Sequence, residues 1–166
     1  MKDTQAKFVI CFFLIATTFW VYSQVQGHTF ISWDDAIYCC FQKYTEGFTI
    51  ENLKWAFTTF DGGFWFPLTL LSHMLDFQLY GFYAKGHHLT NLFFHIANSL
   101  LLFLILYSMT KAIWQSAFIA AMFALHPLSV ESVAWVSERK NVLSTLFWLL
   151  TLWSYTHYSK KPNIKS

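Results

Sequence analysis

The sequence predicts an all-α, multi-pass membrane protein of about four transmembrane helices, with short interfacial helices in a long first outer loop. Three observations predict it. Of 166 residues, 55 % are hydrophobic and 12 % charged, where a soluble domain carries about 25 % charged residues; the mean hydropathy is +0.38. Uncharged apolar runs recur along the chain at the lengths that spans need. Aromatic residues make up 21 %, and many stand in the segment between the first two runs, which suits the membrane interface. A net charge of +2 is too small to imply nucleic acid.

Taken in order, the first span covers 8–25. About 18 residues reach ~27 Å, close to a hydrocarbon core of ~30 Å. Ser23-Gln24-Val25-Gln26 lacks a small-residue cleavage pattern, so a retained anchor is expected rather than a signal peptide. The outer loop, 26–86, then carries a short amphipathic helix at Glu51–Phe57 capped by Thr49. Asp61-Gly62-Gly63 reads as a turn, and Pro67 fits the first turn of a helix over Leu68–Tyr80. The second span is 88–107. The third begins at Ile113 and is stopped near Leu125 by His126-Pro127. That is short for a span, so part of the segment after Pro127 is expected to continue at membrane depth, which gives 113–130. The fourth is 142–158, and 127–141 forms a second outer loop, all within one membrane domain, 1–166.

With the N-terminus inside, Lys2, Lys7, Lys111, Lys160, Lys161 and Lys165 fall inside, opposed by Asp3. Lys43, Lys54, Lys85, Arg139 and Lys140 fall outside with the other acids, so the basic residues are nearly balanced. This orientation puts both motif clusters on the outer face, periplasmic or lumenal. Cys11 sits in an apolar run as a packed or lipid-facing thiol. The adjacent Cys39 and Cys40 have no zinc spacing and read as two thiols rather than a strained vicinal disulfide.

Four constellations bear on chemistry. Asp34-Asp35 follows Phe30-Ile31-Ser32-Trp33, at headgroup height. One of two adjacent, mutually repelling carboxylates at an apolar boundary suits a general base; the plainer reading is a helix cap or solvated turn. His88, Asn91, His95 and Asn98 make one polar stripe on the second span. Interhelical hydrogen bonding explains His95 and Asn98 best, while His87 and His88 at the boundary are better functional candidates. Ser72-His73 with Asp76 is no hydrolase triad, because successive helical residues point apart; His73 and Asp76 remain a structural or metal pair. Finally, Glu131, Trp135 and Glu138 fit one helical face after His126, and Arg139-Lys140 stand at the outer end of the fourth span. A cation pair there suits a phosphate, the alternative being a Glu–Arg ion pair with snorkelling.

Phe30-x-x-Trp33-Asp34-Asp35, Leu53-Lys54-Trp55-Ala56-Phe57-Thr58-Thr59, Pro67-Leu68-Thr69-x-Leu71-Ser72-His73-Met74-Leu75-Asp76, Gly86-His87-His88-Leu89-Thr90-Asn91 and His126-Pro127-Leu128-x-Val130-Glu131-Ser132-Val133-Ala134-Trp135-Val136-x-Glu138-Arg139-Lys140 occur in that order. Together they closely resemble the front of the membrane domain of bacterial TPR-containing membrane proteins, which is similar to that of the eukaryotic transmembrane-and-TPR O-mannosyltransferases. Both are GT-C glycosyltransferases. The likeness runs over about Gly27 to Tyr158. It implies transfer of a sugar from a polyprenyl- or dolichyl-phosphate donor on the outer face, with the catalytic acid at Asp34 or Asp35. The lipid phosphate then falls to Arg139, with Lys140 and His88 next and His87, Glu138, His126 and Glu131 nearby.

It also implies membrane lipid and a protein acceptor or partner subunit as partners. The setting is a bacterial inner membrane, or endoplasmic reticulum in a eukaryote. No metal ligand set is assigned, and a divalent metal is left open. Phe66 stands where relatives carry a histidine before Pro-Leu-Thr. The family has more spans and C-terminal TPR repeats, so the chain reads as the front part of such an enzyme, a truncated product or half of a split one. The rival classes are a non-catalytic membrane scaffold and a transporter segment using the His–Asn stripe.

Overall fold

The structure is a computed structural model that describes residues 3–31, 33–35, 46–60 and 63–160. Its regular elements are helices: α1 (Asp3–Tyr22), a 3-10 turn (Ser23–Gly27), α2 (Ile50–Thr58), α3 (Pro67–Tyr80), α4 (Ala84–Thr110), α5 (Ile113–Leu125), α6 (Ser129–Ala134), a 3-10 turn (Val136–Glu138) and α7 (Arg139–Lys160). No β-strand occurs among the described residues. Cys39, Cys40, Asp61 and Gly62, on which a redox question and a turn rest, lie outside them.

Local chemistry sets the outer helices where the sequence places them. Thr49 caps α2, its side chain accepting from the Asn52 N–H at 3.1 Å, and Pro67 opens α3. Gly81 ends α3 at φ 55°, a conformation that suits glycine, its N–H donating to the Phe77 carbonyl at 2.8 Å. The next helix starts close by: a Cβ on Gly86 would lie 2.2 Å from the Tyr80 ring.

Helix α4 is the hub, packed by α1, α3, α5, α6 and α7, while α2 packs on α3. Asp3 and Lys7 of α1 meet Tyr107 near the end of α4, whereas Tyr22 meets His95 near its middle, so α1 and α4 are antiparallel. Ile10, Leu14, Phe103 and Ala120 form the core between α1, α4 and α5, with Cys11 packed against it. In lipid there is little hydrophobic drive between helices, so close contact at small residues such as Ala120 and Ala124, both fully buried, supplies dispersion instead. A second core of Ala56, Leu70, Met74, Phe77 and Val136 ties α2 and α3 to the turn before α7.

Two stretches, Asp3–Gly27 and Ala84–Thr110, are long and apolar enough to cross a membrane. Phe8, Phe12, Trp20, Phe93, Trp114 and Phe118 stand open on the helical surface, where only an apolar solvent suits them; the chain is a membrane protein. Helix α5 has 13 residues, ends at Leu125 before His126-Pro127, and is followed by a separate α6. Helix α7 has 22 residues, but Asn141, Ser144, Thr145, Thr151, Ser154 and Thr156 dilute its apolar character. Lys7, Lys111 and Lys160 gather at one end of the bundle, around Tyr107 and Ser108; the motif clusters gather at the other.

The polar stripe of α4 is structural at three points. Asn91 donates to the Trp135 carbonyl at 2.9 Å, His95 Nε2 to the Ala124 carbonyl at 2.9 Å, and Asn98 to the Val142 carbonyl at 2.8 Å. Replacing Asn98 by Ala should destabilise the α4–α7 contact by roughly 0.6–2 kcal/mol. Unfolding in mixed micelles, read by Trp fluorescence, checks this, and an unchanged midpoint would deny the bond a structural role.

Candidate polar centre at the end of the bundle

The 3-10 turn after α1 delivers Asp35 into the core, where it is fully buried. Its Oδ2 accepts from the Ile31 N–H at 2.9 Å. Oδ1 accepts from the Ser137 N–H at 3.0 Å and from the Ser137 hydroxyl at 2.5 Å. This single carboxylate therefore joins the Asp34-Asp35 motif to the Ser137–Lys140 motif. Asp34 is half-buried and has no hydrogen-bond partner among the described residues. Trp33 beside it is 75 % exposed, as a side chain at an interface would be.

The same bonds explain a departure from the sequence expectation. Glu131, Trp135 and Glu138 do not share one helical face, because the chain breaks between α6 and α7, with Trp135 in extended conformation. In a continuous helix the Ser137 N–H would bond to Val133 and the Trp135 carbonyl would accept from Arg139. Asp35 takes the first group and Asn91 the second. Glu131 and His126 are exposed on this stretch, where His126 Nδ1 accepts from the Leu128 N–H at 3.2 Å.

Arg139 has a setting the sequence did not suggest. Its side chain is fully buried, with Nη1 2.5 Å from Asp76 Oδ2. Nε donates to Asn91 Oδ1 at 2.8 Å and Nη2 to the His87 carbonyl at 2.8 Å. The ion-pair alternative expected a Glu partner; the guanidinium pairs with an aspartate of α3, and Glu138 pairs with Lys140. Asp76 is completed by the Thr90 hydroxyl at 2.9 Å and faces His87 Nδ1 at 3.6 Å. Glu138 pairs with Lys140 at 2.6 Å and also accepts from the Asn141 side chain. His87 Nε2 donates to the Gly81 carbonyl at 2.9 Å.

His88 is buried against the exposed His28, ring centroids 5.8 Å apart, beside a cavity of about 360 Å³. His73 is wholly buried near Arg139. Burial, and then the guanidinium and His87, hold its pKa well below the ordinary 6.5. No group of three or more His, Cys, Asp or Glu side chains able to hold a metal occurs among the described residues.

Sequence reasoning missed Asp76, Asn91 and Ser137 as members of this centre. A signal existed for Asp76. A cation that is to be buried at the start of a span needs a carboxylate, and α3 offers one buried acid.

These features define a helical membrane protein with a buried, ion-paired polar centre at one end of its bundle. In sequence it is similar to protein O-mannosyl-transferases. Protein O-mannosyl-transferase Tmtc2 of Drosophila melanogaster is 31 % identical over 99 residues, which is 59 % of this chain and 11 % of that protein. The human TMTC3 enzyme is 34 % identical over 97 residues, 58 % of this chain and 10 % of its own length. Human TMTC4 is 31 % identical over 111 residues, 58 % of this chain and 15 % of its own length. The chain thus spans a small part of the curated relatives it matches, and its likeness is to protein glycosyltransferases. No protein-family profile matches it, and no solved structure does.

Two outcomes are expected of the buried centre. Replacing Arg139 by Gln leaves Asp76 as an uncompensated buried charge and should cost about 3–5 kcal/mol, while Arg139→Met with Asp76→Leu should recover most of it; chemical unfolding in micelles compares them. For His73 the folded pKa lies below the unfolded value. Below about pH 6.5 the unfolded chain takes up a proton that the folded chain refuses, so His73 adds an acid limb to the stability profile. Stability is full above that pH and falls as pH drops. His73→Leu should flatten the limb, and an identical profile in the variant would remove His73 as its source.

Proposed function

We propose that this chain forms the front of a protein O-mannosyl-type transferase that draws its sugar from a polyprenyl-phosphate donor at the outer membrane face. The contact that best supports this is the Asp35–Ser137 bond, because it gathers an acid pair and a basic segment at one end of the bundle. In this reading Asp34 is the general base. Its carboxylate accepts the proton of an acceptor Ser or Thr hydroxyl, whose oxygen attacks the anomeric carbon with inversion. The C–O bond to the phosphate breaks, and the phosphate leaves as a stable anion. No second carboxylic acid is needed to protonate it, unlike a sugar alkoxide leaving a glycosidic bond.

Asp35 is then the anchor that fixes Asp34, since both of its oxygens are engaged. Arg139, held by Asp76, Asn91 and His87, acts as a positioning residue, and Lys140, the more exposed of the two adjacent cations, is left for the phosphate. His88 and His87 stay within reach of the same end. Four spans, with α5 and α7 joining α1 and α4, and the N-terminus inside complete the reading. The membrane would be the inner membrane of a bacterium or the endoplasmic reticulum. Further helices of a longer protein or partner subunit would close the catalytic cavity.

A non-catalytic scaffold is the second reading, favoured by the open Trp33, Phe60, Phe64 and Trp65 of the outer loop, a surface on which a partner could dock. Separate Asp34→Asn and Asp35→Asn variants, made in the protein as it occurs in its membrane, divide the two. Mannosyl transfer from polyprenyl-phosphate mannose to a Ser/Thr peptide should drop about 10²–10⁴-fold for Asp34→Asn with folding intact. Asp35→Asn should lose transfer and stability together. Full transfer by Asp34→Asn would end the proposal.

A further inference from the structure

A cavity of about 620 Å³ opens between α2, α3 and the start of α7. Its walls are apolar and largely aromatic: Phe57, Trp65, Leu68, Leu143 and Phe147. Lys140 and Asn141 line the same cavity. These two donors converge on one anionic group, the Glu138 carboxylate. Lys140 Nζ binds Oε1 at 2.6 Å, and the Asn141 amide binds Oε2. The Glu138 side chain is 14 % exposed and that of Lys140 37 %. The cavity thus joins an apolar chamber of ligand size to an anion seat already holding an intramolecular carboxylate.

We infer that this cavity seats a single-tailed lipid phosphate, and that Glu138 occupies the seat until that phosphate displaces it. The inference rests on the proposed transferase reading, which supplies the isoprenoid phosphate as occupant; the chemistry of the cavity supplies the rest. A phosphate offers the two donors the same kind of oxygen pair that Glu138 now offers, with at least as much charge. The hydrocarbon tail covers aromatic and aliphatic wall that is otherwise open. Glu138 adjoins Ser137, which Asp35 holds, so its side chain can swing away while its backbone stays fixed beside the acid pair. Without an occupant the carboxylate neutralises Lys140 and spares it an unpaired setting at an apolar mouth.

The probe is a diazirine-bearing polyprenyl phosphate without sugar, presented to the whole protein in phosphatidylcholine nanodiscs, with cross-links mapped by mass spectrometry. Label should fall on Leu68, Leu143 or Phe147. Glu138→Gln, which keeps the shape and removes the charge, should tighten binding about fivefold. Lys140→Met should weaken it about tenfold or more. Ser144→Trp, which fills the cavity and spares both donors, should abolish label at these positions, so a folding defect in one variant does not decide the matter. Label confined to the open faces of α1 and α5 would overturn the site. So would full displacement by an equal amount of dioleoyl phosphatidate, or weaker binding in Glu138→Gln. Label in the cavity without any sugar transfer upholds the site and removes the transferase reading. Transfer by the unaltered protein with no label in the cavity removes the site and leaves that reading standing.

Discussion

A guanidinium buried at the meeting point of three helices constrains everything around it. Arg139 begins α7, its carboxylate partner Asp76 lies on α3, and Asn91 and His87 belong to α4. Taking these charges out of water is costly, and only good geometry with nearly every donor engaged offsets it. The planar fork of arginine can direct several N–H groups at once, which a lysine ammonium cannot reproduce. That requirement fixes α3 against α4, although α3 belongs to the outer loop. It also fixes where α7 starts, and so where Glu138 and Lys140 emerge.

The Asp35–Ser137 contact is the second tie, and it works differently. It spends a carboxylate on the backbone and hydroxyl of one residue, and so stops α6 from running on into α7. Between them, the two ties turn an apolar bundle end into a shaped polar centre. Asp34 is left half-buried next to the held acid, a setting that a freely solvated turn would not provide.

Much of this was legible in the sequence where the controlling forces are local. Thr49 and Pro67 mark their helix starts by capping and by a fixed φ, and both stand where they were expected. The apolar runs at 8–25 and 88–107 fall within the two stretches that suit a membrane, and the polar stripe on α4 faces inward as hydrogen bonds to neighbours. What stayed hidden depends on distant pairs. Nothing near Arg139 in sequence points to Asp76, and Glu138 was the closer acid. The six-residue α6 was also out of reach, because tertiary bonds from Asp35 and Asn91 replace helical ones that the local pattern would allow.

The acceptors chosen by the α4 stripe carry a wider implication. Asn91, His95 and Asn98 all donate to main-chain carbonyls, those of Trp135, Ala124 and Val142. A carbonyl is supplied by every residue type, so these locks read the path of the neighbouring backbone and not its side chains. The neighbouring strips of α5 and α7 are therefore free to drift in composition while helix register is kept. Distant descendants of this chain could share the bundle end with few matching letters outside α4, and their kinship would be easier to see in shape than in spelling.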